Sequence, residues 1–137
     1  MRRVKQRMID IFDTYEYDWM NYKININDIL TFHHIVKKED GGKYTIDNGA
    51  LLTTRAHEHL HVIESIDKSI YDEINFVFKD INTQLYPPTV NQRELINLLL
   101  LKFELKNADV LIKKKEKVNS KKKRILLAIE RRKLSQG

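Results

Sequence analysis

The 137-residue sequence predicts an α+β fold that is mostly helical, with a small β-hairpin and a following helix flanked by an N-terminal helix and long C-terminal helices. Three observations carry this expectation. Apolar residues recur at helical spacing near the N-terminus and through most of the chain beyond residue 56. Two short aliphatic or aromatic runs, at 29–36 and 50–53, flank the turn signal Gly41-Gly42. The length suits one real core and is too short for two comfortable ones.

Val4, Met8, Ile11, Phe12 and Tyr15 fall on one helical face, so the spacing predicts an amphipathic helix over 3–16. From Tyr17 to Asn27 the period is lost, and a loop is expected around Trp19. ILTFHHIV at 29–36 is β-branched and aromatic and reads as a strand, followed by the turn-rich KKEDGGK. Ala50 to Thr53 supplies a second strand. Thr53 or Thr54 can cap the next helix, because a threonine hydroxyl satisfies an orphan amide of the first turn. In RAHEHLHVIE, Ala56, Leu60 and Ile63 keep helical spacing, although HEHLHV also alternates for a few residues. Ile66, Ile70, Ile74, Val77, Phe78 and Ile81 extend a further helix to about Asn82, and Pro87-Pro88 ends that arrangement. Asn91 and Glu94 have capping-box spacing. A long helix then runs through Leu95, Leu98, Leu99, Phe103 and Leu105, its leucines serving as core or as a homodimer face. A break at Asn119-Ser120 precedes a last amphipathic piece around 125–134. The expected division is 1–28 for helix and loop, 29–66 for the hairpin and its helix, and 67–137 for a helical extension with a basic tail.

Composition narrows the chemistry. With no cysteine, disulfides, thiolate zinc sites and cysteine nucleophiles are excluded, so any metal must rest on histidine, carboxylate or water. The start does not suit a signal peptide, and the longest apolar run, around 96–101, is too short to cross a membrane. The expectation is a cytoplasmic protein. The net charge of +6 is uneven: residues 1–68 hold 10 basic and 11 acidic side chains, and residues 69–137 hold 15 and 8. A basic tail of this kind binds a nucleic-acid backbone by counterion release, or serves only as a solvated face.

All five histidines lie between positions 33 and 61. On a helix, His57 and His61 are about 40° apart around the axis and about 6 Å apart along it, so they can share one metal. His59, about 200° from His57, cannot join them. A strand would instead align all three. The other histidine source is the tandem pair His33-His34. Neighbouring strand residues face opposite ways, so one of the pair can bind a metal while the other keeps its lone pair for a proton.

HHI at 33–35, Gly41-Gly42, Asn48, LL at 51–52 and His57-x3-His61 together resemble the HNH endonuclease motif. This is the ββα-metal finger of nuclease colicins, homing endonucleases and many phage proteins. The resemblance covers residues 30–64 and implies a metal-dependent endonuclease acting on DNA, most simply double-stranded. It implies His33, His57 and His61 as ligands of one divalent ion (Mg2+, Mn2+, Zn2+ or Ni2+) and His34 as general base. Asn48 would be the middle catalytic-motif residue that ties the loop to the strand and orients the base. Lys37, Lys38, Lys43 and Arg55 are the candidate nucleic-acid contacts, and His59 is expected at the surface. Many family members brace the finger with two CxxC pairs around zinc; here Thr53 and Ala56 stand where the second pair would be, so flanking helices must do the bracing. The small size and the Lys-, Asn- and Ile-rich composition suit an AT-rich bacterial genome or its phages. The alternatives are a purely structural metal on His57 and His61, and a non-catalytic nucleic-acid-binding or regulatory protein of a phage or mobile element that keeps the metal finger.

Overall fold

The computed structural model describes residues 2–113, 115–117, 121 and 124. The piece expected around 125–134 and the break at Asn119-Ser120 lie outside them. The chain forms two compact units, residues 1–103 and 104–137. All of the hairpin and its helix lie in the first.

Helix α1 spans Arg2–Phe12, four residues short of the expected end. Asp13 turns into the left-handed region (φ 50°), and the Thr14 amide reaches back to the Ile9 carbonyl at 3.1 Å, a bond that closes a helix end. Met8 and Phe12 are buried on its inner face. Trp19, in the loop that follows, is also core: its ring lies edge-on to Phe12 at 4.8 Å and to Phe78 at 6.0 Å.

The strands β1 (Leu30–His34) and β2 (Gly49–Thr53) pair antiparallel, from Leu30 opposite Thr53 to His34 opposite Gly49. Every residue of β2 is buried, which explains its apolar composition. A side chain at Gly49 would sit 2.3 Å from the Phe32 ring and 2.9 Å from Met8, so only glycine lets α1 pack on this face of the hairpin.

Thr53 ends β2 and caps α2 (Thr54–Ile66), its hydroxyl accepting from the Ala56 amide at 3.2 Å. Ala56, Leu60 and Ile63 point into the core, so the helical reading of RAHEHLH holds. A single residue, Asp67, separates α2 from α3 (Lys68–Gln84) and caps the latter by accepting from the Ile70 amide. α3 lies against α2 and β2, burying Ile70, Tyr71, Ile74, Val77, Phe78, Ile81 and Asn82. Each such aliphatic or aromatic side chain removed from water contributes roughly 1.5–3 kcal/mol. Leu85, at φ 58°, ends α3 before Pro87-Pro88. The reciprocal capping box of α4 (Val90–Lys106) is made by Thr89 and Gln92 rather than Asn91 and Glu94. Gln92 Oε1 accepts from the Thr89 amide at 2.9 Å, and Thr89 Oγ1 accepts from the Gln92 amide at 3.1 Å. Of the Leu-rich run, Ile96, Leu99 and Phe103 face the core, while Leu95, Leu98 and Leu101 are exposed. Among the described residues no helix is long and apolar enough to cross a membrane.

The loop, β2 and α2 meet at Asp18, which has no exposed surface. One carboxylate oxygen accepts from the Met20 amide (2.8 Å) and the Tyr22 amide (3.0 Å), the other from the Thr53 amide (2.9 Å) and hydroxyl (2.8 Å). Burial pushes this carboxyl above its ordinary value, and those hydrogen bonds oppose the shift. Asp18→Ala strands several buried donors and should destabilise the fold by about 3 kcal/mol. Asp18→Asn should also destabilise, since its amide must turn N–H groups toward backbone donors. Chemical denaturation checks both, and a wild-type midpoint in Asp18→Ala would contradict this role.

Candidate active site

Strand alternation splits the tandem histidines. His33 turns inward beneath α2 and α3 and is 4% exposed, whereas His34 shares the other face with Phe32, whose ring lies 4.8 Å away, and with Tyr44 at 6.2 Å. The strand ends there, so both still border one open cavity of about 280 Å³ together with His57, His61, Lys37, Lys38, Glu64 and Tyr71. The structure thus brings together four of the five histidines.

The fifth is set apart by the helix. His59 is half-buried rather than a surface residue: its Nδ1 is 2.7 Å from the Tyr22 hydroxyl, and its ring packs 6.4 Å from Phe103. It fastens α2 to the loop and to α4, a contact that no local sequence pattern announces.

The hydrogen bonds fix which imidazole nitrogens carry protons. The Thr31 hydroxyl donates to the Leu52 carbonyl at 2.9 Å, so it meets His57 Nδ1, at 2.8 Å, as an acceptor. His57 therefore carries its proton on Nδ1 and keeps the Nε2 lone pair. His33 Nε2 lies 2.8 Å from Asn75 Oδ1, an oxygen that can only accept, so its lone pair is on Nδ1. Asn75 is oriented by its second bond, to the Tyr71 phenol, whose pKa that bond lowers against the effect of burial. Burial, reinforced by the neighbouring imidazoles and partly opposed by the Asn75 bond, pulls His33 down to about 4. Burial and His61 lower His57 as well. Both are neutral at pH 7 and hold an available lone pair.

This donor set fits a divalent ion of the imidazole-binding kind. Among the described residues, however, no three His, Asp or Glu side chains converge on a common point. The reason is visible in the rotamers: the His57 and His61 rings stack 4.8 Å apart at 16° instead of aiming at one centre, while Asn75 holds His33 at Nε2 and leaves its Nδ1 for an ion. Rotation of the exposed His61 ring is the cheapest adjustment.

Asn48 is buried and fully engaged. Its Oδ1 accepts from the Val36 amide at 2.8 Å, and its Nδ2 donates to the carbonyls of Val36 and Lys43, both at 3.0 Å. It clamps the loop just beyond His34, which is a positioning contact. Gly42 is part of that clamp: a Cβ there would lie 1.7 Å from the Val36 carbonyl oxygen. The glycines serve turn geometry.

The expected nucleic-acid contacts divide. Lys38 and Lys43 are exposed, and Lys38 borders the cavity. The Lys37 ammonium is in contact with Glu64. Arg55 is tied to the loop, with its guanidinium 2.9 Å from both Asp28 and the Lys23 carbonyl and 5.7 Å from the Tyr22 ring centre. Sequence reasoning missed Glu64, Thr31, Tyr71 and Asn75. Glu64 follows His57 by seven residues and His61 by three, and Thr31 precedes His33 by two on the same strand face, so spacing alone was a usable signal for both.

Residues 21–63 match the family model for the HNH endonuclease. Comparison with curated proteins and with solved structures gives no match.

Replacing Asn48 by Ala leaves the Val36 amide and two carbonyls without their partner and should cost about 1–3 kcal/mol. Amide exchange at Val36 should rise while α3 stays protected. Unchanged exchange at Val36 would contradict the clamp.

Proposed function

We infer that this chain, whose residues 21–63 match the HNH endonuclease family model, hydrolyses phosphodiester bonds of double-stranded DNA with the help of one divalent metal ion. The observation that carries this reading is the meeting of His33, His34, His57 and His61 at one cavity, beside a loop clamped by Asn48. His33, His57 and His61 would hold the ion, which when bound stabilises charge building on the phosphate and on the leaving 3′-oxygen. Imidazole donors favour Zn2+ or Ni2+ by affinity, whereas Mg2+ prefers oxygen and keeps its waters, so Mg2+ or Mn2+ would serve here through abundance in the cell.

His34 is the general base. It shares the cavity rim with the ligand set but lies on the opposite strand face, so it keeps its basic nitrogen for a water aligned with the phosphorus. Phe32 and Tyr44 wall its ring in, and Asn48 fixes the backbone two residues beyond it. Lys38 and Lys43, both exposed, contact the strand's phosphates, and the basic tail adds sequence-independent affinity. A basic chain of this kind suits the cytoplasm of a bacterial host cell, encoded by the bacterium or by its phage. Cutting of both strands follows from two successive nicks or from two copies paired over the exposed leucines of α4.

Supercoiled plasmid incubated with Mg2+, Mn2+, Ni2+ or Zn2+ should be nicked by the wild type and protected by EDTA. His34→Ala should slow nicking by about 10²–10⁴-fold. In elemental analysis His57→Ala and His61→Ala should lose metal and folded His59→Ala should retain it. Equal nicking by His34→Ala and wild type would remove the general-base assignment, and no nicking by wild type with any of the four metals would favour a finger that binds without cutting.

A further inference from the structure

Two of the three candidate ligands have an oxygen partner behind the ring. His33 has Asn75 Oδ1, and His57 has Thr31 Oγ1. Glu64 stands in the corresponding place for His61. It lies on the same face of α2, one turn further on, with Oε1 3.9 Å from His61 Nδ1. Its side chain is 22% exposed and lines the same cavity as the imidazoles. Its other oxygen is in contact with the ammonium of Lys37, which reaches in from the loop after β1 and lies 5.9 Å from the Tyr71 ring centre.

We propose, resting on the metal reading above, that Glu64 is the carboxylate of the metal site, backing His61 from its Nδ1 side, and that Lys37 and the divalent ion compete for it. A carboxylate accepting from Nδ1–H leaves the Nε2 lone pair outward and makes the imidazole a better donor. With Glu64 drawn to Lys37, its distance from His61 stays longer than a hydrogen bond, and His61 lies stacked on His57. An ion held by three imidazoles of the same cavity brings two positive charges close to the ammonium. Like charges repel, so the lysine leaves, Glu64 closes on His61, and Lys37 is released toward the phosphates proposed above for Lys38, which borders the same cavity. Loading of the metal and recruitment of a phosphate contact are thereby coupled through one carboxylate.

Isothermal titration of the full chain, stripped with EDTA and titrated with Mn2+ or Zn2+, tests this without reading activity. Glu64→Gln should weaken binding 10–100-fold. Lys37→Met should tighten it several-fold, and adding Glu64→Gln to Lys37→Met should still weaken it. Wild-type affinity in Glu64→Gln, while His57→Ala loses the metal, would overturn the role of Glu64 and leave the histidine reading standing. Unchanged or weaker affinity in Lys37→Met would overturn the competition. Recovery of wild-type affinity in the double variant would mean that Glu64 only neutralises the lysine, which also overturns the proposal. No metal uptake by wild type would remove the histidine reading together with this one.

Discussion

The Asp18 carboxylate is taken wholly out of water and ringed by four donors, and the placement of the helix that carries His57 and His61 depends on it. Removing a carboxylate from water costs several kcal/mol even after relaxation, and hydrogen bonds to a charged group return about 1.5–3 kcal/mol each. Four of them offset the cost only if all are made. This binds the loop after α1 to Thr53 in a single geometry. Thr53 is the last residue of β2 and the cap of α2, so fixing it sets where His57 and His61 emerge one and two turns later. Thr53 also stands where many members of the resembled family carry a zinc-binding cysteine. In a chain without cysteine, a buried carboxylate and a helical flank brace the hairpin and its helix.

The second constraint is the dryness of β1's inner face. His33 is buried against Tyr71 and Phe78, and that environment keeps it neutral. Neutral imidazoles have lone pairs to give, and each needs a partner to hold its other nitrogen. Thr31 supplies one from the strand itself, and Asn75 supplies one from α3. The helix beyond the motif is thus part of the site's hydrogen bonding as well as its cover. Strand alternation turns His34 to the other face, a one-residue difference that separates the proposed base from the proposed ligands.

Local physics made the order of elements, the hairpin and the helical character of RAHEHLH legible from sequence. Thr53 announced the cap, and the spacing of Ala56, Leu60 and Ile63 chose helix over strand. Asn48 was legible through its place in the motif. What stayed hidden depends on contacts distant in sequence. Asp18 looked like one polar residue in a polar loop, yet its partner Thr53 is 35 positions away. His59 looked exposed because Tyr22 and Phe103 reach it from other elements. Arg55 looked available to DNA because Asp28 is 27 residues upstream. The intramolecular partners of surface charges were not legible because they arrive through the fold, and the capping box was misplaced by two residues because Asn91 and Glu94 share the spacing of Thr89 and Gln92.

The claim that one metal is shared by His33, His57 and His61, with His34 kept out, can be read directly from the imidazole nitrogens. Long-range proton–nitrogen correlation spectra of the ¹⁵N-histidine protein, recorded during a Zn2+ titration, resolve each ring. His33, His57 and His61 should each shift one nitrogen to the metal-bound range, with His57 bound through Nε2 and still protonated at Nδ1. The nitrogens of His34 and His59 should show no metal-bound shift. A metal-bound shift at His34, or none at His57 and His61, would contradict the assignment.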